Sequence, residues 1–355
     1  MSTDLKPIKK QVSLEGAVST GSTLLNLACS DLPYHGYAKG GYYYLVGDSA
    51  SGKTWLSLTC FAESCINEHF KDYRLIFDDV EGGAMMDVEK YFGKEVGGRM
   101  EAPRYDAKKQ PIASDTVESF YYNLFDIIDQ GKPFIYVLDS QDALTSEASD
   151  KKFRKQKVAS ENNKEAAGSY GDGKAKYHSE HLRLALAGIR KLRSILIIIG
   201  QTRDNIGFGF EKKTRAGGRS LRFYADLEIW TSVFGKIQRD VRGKKRTIGN
   251  KCIAEVKKNR VTGKIGKDRS VLIPIYYELG IDDVGSCVDY LVGEKHWKKN
   301  NGVITAPEMD FQGKRPELIT YIEEHNKERK LRRITGEVWR KIEAECIVER
   351  KKRYV

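Results

Sequence analysis

The chain has 355 residues, with 61 Lys and Arg against 49 Asp and Glu, giving a formal net charge of +12 and a sequence pI of about 9.2. That length holds one large core with a smaller appendage or two modest domains, and the positive surplus suits an anionic polymer or an acidic surface. The six cysteines form no C-x-x-C pair, which argues against a zinc ribbon. No signal peptide and no bilayer-length apolar run is present, so a cytoplasmic protein with reduced thiols and no membrane partner is expected.

Residues 1–17 are polar and weakly patterned and read as a short arm. From Ser19 onward short apolar runs alternate with helical patterns, the signature of an α/β domain with a mainly parallel central sheet. The first clear strand, Tyr42 to Val46, runs into Gly47-Asp48-Ser49-Ala50-Ser51-Gly52-Lys53-Thr54. This is the G-x-x-x-x-G-K-[ST] pattern of a P-loop. A strand entering a glycine-rich turn and then a helix points several backbone N–H groups, and the positive helix end, into one hollow that favours phosphate. Glycine at 47 and 52 leaves out the Cβ that would keep a ligand from the backbone. Lys53 is placed to reach the β and γ phosphates and Thr54 to hold Mg²⁺. Trp55, Leu58, Ala62 and Ile66 then recur at helical spacing and predict the buried face of the next helix.

Three further strands end in polar residues, where open α/β sheets place their ligand sites. Leu75-Ile76-Phe77 ends in Asp78-Asp79, Phe134 to Leu138 in Asp139-Ser140, and Ile195 to Ile199 in Gly200-Gln201. Asp139 suits a Walker B carboxylate that anchors Mg²⁺ through its water shell. Glu81, in FDDVEGG, is the candidate to activate the attacking water, on a strand expected to neighbour the P-loop strand, with Asp78 and Asp79 as competitors. Gln201 is placed to touch a γ-phosphate and report it to the loop that follows. Leu182, Leu186, Ile189 and Leu192 predict a helix between the last two strands.

The second half changes character. Leu227 to Phe234, Cys252 to Val256 and Val271 to Tyr277 read as longer strands, joined by turns such as Arg242-Gly243-Lys244 and forming antiparallel or mixed additions to the same sheet. Two basic, glycine-containing segments stand out as loops, residues 146–177 and 203–218. The first carries Lys152, Arg154, Lys155, Lys174 and Lys176. The second carries Arg203, Asn205, Phe208, Phe210, Lys212, Lys213 and Arg215. Cations around glycine and aromatic residues can track phosphates while touching bases. Residues 293–355 are charged, basic and expected to be mostly helical, with Trp339, Ile342, Cys346 and Ile347 as an apolar stripe.

Taken together, the strings SLEGAVSTGSTLLNLA, GDSASGKT, FDDVEGG, YVLDSQDALTS, IIIGQTRDNIG, RAGGRSLRFYADLEI and KKNRVTGK resemble the RecA family of DNA strand-exchange ATPases, most closely the recombinases of phages and mobile elements. The resemblance covers roughly residues 14–290, with a RecA-like ATPase core expected over 18–292. It implies ATP and Mg²⁺ as cofactors, Glu81 as the catalytic glutamate and Asp139 with Ser140 as the Walker B end. It implies Gln201 as the coupling glutamine and the two basic loops as DNA-binding loops. Phe223 is implied at a subunit contact, and Lys258 and Arg260 as cations reaching a neighbour's nucleotide. The implied partners are single-stranded and also duplex DNA, and further copies of the chain. The same core also builds ring-forming helicases or branch-migration motors and could serve a nucleotide-switched annealing mediator, so filament and ring both stay open at this level.

Overall fold

The fold is described from a computed structural model, covering residues 16–83, 86–161, 173–204, 213–215, 218–351 and 353. Its centre is a sheet built around Tyr42–Gly47. On one side of that strand lie, in order, Ile195–Asp204, Phe134–Asp139, Arg74–Asp79 and Met100–Glu101. On the other lie Leu227–Val241, Lys244–Asn259, Val271–Tyr276 and Gly280–Ile281. The strands from Leu227–Val241 across to Met100–Glu101 are parallel. The three beyond Leu227–Val241 are antiparallel, so of the expected additions Leu227–Val241 runs parallel to the P-loop strand, Lys244–Asn259 and Val271–Tyr276 are antiparallel, and Gly280–Ile281 is a further strand.

The central strands are continuous apolar runs because both faces are covered. Alternation divides them between two layers. Tyr43, Leu45, Ile135, Val137, Ile195, Ile197 and Ile199 face one cluster with helices Thr23–Ser30 and Lys53–Cys65. Tyr42, Tyr44, Val46, Phe134, Tyr136, Leu138, Leu196 and Ile198 face the other with helices Val117–Asp129 and Lys174–Lys191. Leu182, Leu186 and Ile189 are buried as expected. On Lys53–Cys65 the buried face is rotated from the predicted one. Leu56, Leu58, Cys60 and Phe61 are buried, while Ile66 caps the helix at 76% exposure. The sheet side of this helix is set by the P-loop geometry, which orients Lys53 inward, and a spacing count cannot see that.

Four other expectations change. The segment read as a basic loop over 146–177 is helical from Glu147 to Glu161, and Lys174 opens the helix that runs to Lys191. Its turn-forming composition is outweighed by i,i+4 pairs such as Arg154 with Asp150, 2.8 Å apart. The C-terminal region is not mostly helical. It has a three-stranded antiparallel sheet, Lys298–Asn300, Val303–Ala306 and Phe311–Lys314, followed by helices Arg315–Glu324 and Glu328–Glu345. Helix Asp283–Gly293, at the end of the expected core span 18–292, shares its buried face with this region: Cys287, Val288 and Leu291 join Trp297, Ile304, Leu318 and Ile334 in a third cluster. In the predicted stripe Trp339 is buried, but Cys346 and Ile347 are exposed beyond the helix.

Ion pairs fasten this region to the core. Arg332 meets Glu63 at 3.2 Å and Asp283 at 3.0 Å. Arg269, only 3% exposed, bridges Asp31 and Glu343 and also donates to the carbonyls of Leu27 and Ala28. Arg269→Ala is expected to lower the unfolding free energy by about 2–4 kcal/mol, because it takes the buried cation from two partly buried carboxylates and leaves them Lys264, with the Trp339 indole on Asp31. A denaturant midpoint that falls with an unchanged slope would show this; an unchanged midpoint would place the attachment in the apolar cluster alone.

Candidate nucleotide site and its surroundings

Register brings the polar strand ends together. Gly47 is level with Gln201 on one neighbouring strand and Thr231 on the other, and Asp139 is level with Asp79. The P-loop glycines have a reason beyond ligand access. A Cβ on Gly47 would lie 2.2 Å from Thr231 Oγ1, and one on Gly52, where φ is +89°, would lie 2.5 Å from Ile275 Cδ1. The loop is thus pressed against the antiparallel extension of the sheet. Ser51 Oγ and Thr231 Oγ1 share a 2.7 Å hydrogen bond across that contact.

Lys53 Nζ donates to the carbonyls of Gly47 at 2.9 Å and Asp48 at 2.6 Å, so the ammonium is folded over the loop's hollow. Burial pushes its pKa down, while the carboxylates of Asp139, Glu81, Asp48 and Asp142 oppose that shift. Thr54 Oγ1 donates to Asp139 Oδ2 at 2.6 Å. Burial is also the main cause that raises Asp139 to about 6. A hydroxyl and a carboxylate converging beside a desolvated lysine form an oxygen-donor set suited to Mg²⁺ on a polyphosphate. Thr54 and Asp139 would hold such a metal, which would supply positive charge to offset that of the phosphates.

Glu81 reaches the same hollow from a strand that does not neighbour the P-loop strand. Arg74–Asp79 is separated from Tyr42–Gly47 by Phe134–Asp139 and Ile195–Asp204. The expectation of adjacency is therefore corrected. The approach is made instead by a turn in which the backbone N–H groups of Val80 and Glu81 donate to the Asp139 carbonyl at 2.8 and 3.2 Å. The Glu81 carboxylate then accepts from Ser140 Oγ and, at 2.9 Å, from Gln201 Nε2. Asp78 drops out of the competition for water activation. It is buried, accepting from Tyr136 OH at 2.6 Å and from the Ser114 backbone and hydroxyl at 2.8 and 2.6 Å, with burial raising its pKa. Asp79 accepts from the Gly83 N–H, which holds the Glu81 turn.

Several residues of this region escaped the sequence reading. Thr202 Oγ1 donates to Asp48, and Asp142 accepts from the Gln201 backbone and from the Gln141 side chain, both at 2.7 Å. A cavity of about 280 Å³ beside the P-loop is lined by Trp55, Met86, Asn250, Ile275 and Tyr277. Asn250 and Tyr277 come from the antiparallel strands, some 200 residues along the chain from the P-loop, and no local pattern marks them. Tyr91 packs edge-on against Trp55 at 5.2 Å and supports the wall from behind.

Lys258 and Arg260 lie far from the P-loop of their own chain. Asn259 pairs with Leu227, which is level with Tyr43, at the opposite end of the P-loop strand from Gly47. Lys258 Nζ donates to the carbonyls of Arg222 and Phe223, both at 2.7 Å, and Arg260 Nη2 to that of Phe223 at 2.7 Å. These are the last carbonyls of helix Gly218–Tyr224, whose negative end favours cations. Phe223 stands beside them at 65% exposure.

Of the basic segments, Lys155 is exposed, Arg154 is paired with Asp150, Lys174 donates to the Leu144 carbonyl, and Lys176 lies 3.9 Å from Glu180. Lys152 is half-buried on the same helix. Ile195–Asp204 turns back as an antiparallel pair with Lys213–Arg215, placing Arg203 opposite Thr214. Asn205, Phe208, Phe210 and Lys212 lie outside the described residues.

A parallel sheet with a P-loop at its centre and a carboxylate at a nearby strand end defines a P-loop nucleotide-binding core. The chain belongs to the RecA family, an ATPase family whose members generally bind ATP and Mg²⁺. The RecA N-terminal domain family matches residues 124–282. Protein RecA of Helicobacter pylori strain P12 is 31% identical over 288 residues, covering 79% of this chain and 71% of that protein. Protein RecA of Helicobacter hepaticus is 30% identical over 288 residues, covering 79% and 72%. Protein RecA of Nitratiruptor is 27% identical over 322 residues, covering 89% and 82%. Among the described residues no helix is long and apolar enough to cross a membrane.

Proposed function

We propose that this protein is an ATP-dependent recombinase that binds single-stranded DNA, pairs it with a homologous sequence and exchanges strands, with ATP hydrolysis controlling its hold on DNA. The observation that carries the reading is the Gln201 bridge. Its side chain donates to Glu81 at 2.9 Å, and its own strand continues through Asp204 into the second basic segment. One strand thus carries Gln201 at the nucleotide hollow and Arg203 at the start of the second basic segment, whose cations suit a phosphate backbone.

In this reading Lys53, Thr54 and Asp139 hold the Mg²⁺ nucleotide and Glu81 orients the attacking water. Ser140 positions the Glu81 carboxylate. The cations of residues 152–176 and 203–215 hold the DNA strand. Phe223 seats on a neighbouring copy, and Lys258 and Arg260 are presented to that copy's γ-phosphate.

Electron microscopy of the protein with single-stranded DNA, Mg²⁺ and a slowly hydrolysed ATP analogue tests this directly. Helical filaments along the DNA are the expected result. Closed rings would replace the recombinase with a translocating motor using the same hollow, and small particles would replace it with an annealing mediator.

A further inference from the structure

The second basic segment is rooted on a strand that leaves the sheet beside the nucleotide hollow. Ile195–Asp204 pairs with Phe134–Asp139 as far as Ile198, and with the P-loop strand as far as Gln201, which is level with Gly47. The next residue, Thr202, opens a short antiparallel hairpin. It stands opposite Arg215, with Arg203 opposite Thr214 and Asp204 opposite Lys213. At Thr202 the strand therefore exchanges its partners in the sheet for the return strand of the segment itself.

Two consecutive side chains tie this root to the hollow. Gln201 Nε2 donates to Glu81 at 2.9 Å. Thr202 Oγ1 donates to Oδ1 of Asp48, the residue that follows Gly47 in the P-loop. Successive residues of a strand present their side chains to opposite faces. A strand end held by one such bond is free to turn about it, whereas one held from both faces has its twist and direction fixed. The Gln201 N–H, donating to Asp142 at 2.7 Å, fastens the backbone between them.

Asp48 is not asked for by phosphate binding. The position after the first glycine of G-x-x-x-x-G-K-[ST] is open to any residue, and an acid there sets a negative charge beside the place where phosphates are held. What the carboxylate gains in this fold is the Thr202 hydroxyl. Asp48 is also the P-loop residue tied most closely to Lys53. Its carbonyl accepts from Lys53 Nζ at 2.6 Å and from Ser51 Oγ at 2.7 Å. Lys53 is the cation that engages the phosphates of a bound nucleotide. In turning to them it withdraws its charge from Asp48 and leaves that residue facing charges of its own sign. The side chain that feels this exchange is the one that holds Thr202.

We propose that the hydrogen bond from Thr202 to Asp48 is a second positioning link between the nucleotide hollow and the second basic segment. Gln201 takes its signal from Glu81, and Thr202 takes its own from the P-loop. Both are required, because either alone leaves the strand end free to turn. This rests on the recombinase reading, in which that segment holds DNA.

The test compares the full-length protein with Thr202→Val, which keeps the shape and removes the donor, and Thr202→Ser, which keeps the donor. Affinity for a fluorescent single-stranded oligonucleotide is measured with ADP and with a slowly hydrolysed ATP analogue, beside turnover without DNA and binding of a fluorescent nucleotide. In wild type the analogue is expected to raise DNA affinity above its value with ADP. In Thr202→Val that ratio should shrink at least about fivefold, the lower end of ordinary coupling between two sites. Nucleotide binding and turnover without DNA should stay close to wild type, and Thr202→Ser should keep the wild-type ratio. An unchanged ratio in Thr202→Val would overturn the link and leave the recombinase reading standing. Equal loss in Thr202→Val and Thr202→Ser would overturn it too, since packing rather than the hydroxyl would then be at work. So would a Thr202→Val protein that no longer binds nucleotide, which would make the contact a prop for the P-loop. A wild-type protein whose hold on single strands ignores the nucleotide would remove both readings together.

Discussion

A chain carrying Lys258→Ala and Arg260→Ala is expected to bind ATP as wild type does and to hydrolyse it at least about 10³-fold more slowly, the effect of losing a cation supplied in trans to a phosphoryl transfer. The proposed trans arrangement rests on where the two cations stand. Lys258 stands level with Tyr44, three strand residues or about 10 Å at strand rise from Gly47, and Arg260 follows Asn259, which is level with Tyr43. They are held by the carbonyls of Arg222, Phe223 and Tyr224 and face outward beside the exposed Phe223. Burial, then the Arg260 charge, pulls Lys258 down to about 8, so it carries its proton at neutral pH and sheds it as the pH rises through that value. Mixing makes the test decisive. Lys53→Ala alone lacks a working hollow but keeps the cations, and the double variant has the reverse defect. In a randomly assembled equimolar mixture about one head-to-tail junction in four joins a sound hollow to sound cations. Recovery toward a quarter of wild-type turnover is therefore expected. No recovery, with assembly intact, would mean that the cations act within their own chain or not at all.

The second large effect falls on Glu81. Glu81→Gln keeps the shape of the carboxylate and its contact with Ser140 but cannot take up a proton, and turnover should fall by about 10²- to 10⁴-fold with Mg²⁺–ATP binding retained. Gln201→Ala should act differently. It removes the 2.9 Å bond to Glu81 while leaving the carboxylate in place. Turnover without DNA is expected to persist within a few-fold of wild type, and stimulation by single-stranded DNA to disappear. Measured turnover with and without DNA separates the two variants. Equal stimulation in Gln201→Ala and wild type would show that the loop is informed of the nucleotide by another route.

The nucleotide site is legible in the chain order of its motifs. Phosphate binding by a P-loop is local chemistry: the glycines, Lys53 and Thr54 lie within eight consecutive residues, and strand and helix are fixed by short-range pattern. The strands are equally legible, because burial on both faces writes each as an apolar run. The long hairpin is visible in its strands and in Arg242-Gly243, but its projection beyond the sheet is not. Alternation says which face a residue takes and nothing about where a neighbouring strand stops.

What only the tertiary structure decided follows from contacts distant in sequence. Strand order placed Phe134–Asp139 and Ile195–Asp204 between Glu81 and the P-loop, and the turn bonded to the Asp139 carbonyl carries Glu81 back. Burial against Ser114 and Tyr136 took Asp78 out of the site, although its strand position equals that of a catalytic carboxylate in one dimension. Asn250 and Tyr277 entered the wall of the cavity because antiparallel strands were added at one edge. Helix Asp283–Gly293 joined the C-terminal cluster through Cys287, Val288 and Leu291, which pack with residues as distant in sequence as Ile334 and Val338. The sequence by itself determined the chemistry of the hollow and the strands that end at it. Which side chains meet across those strand ends, and which face away from them, was settled by register and packing, which join residues that no local pattern connects.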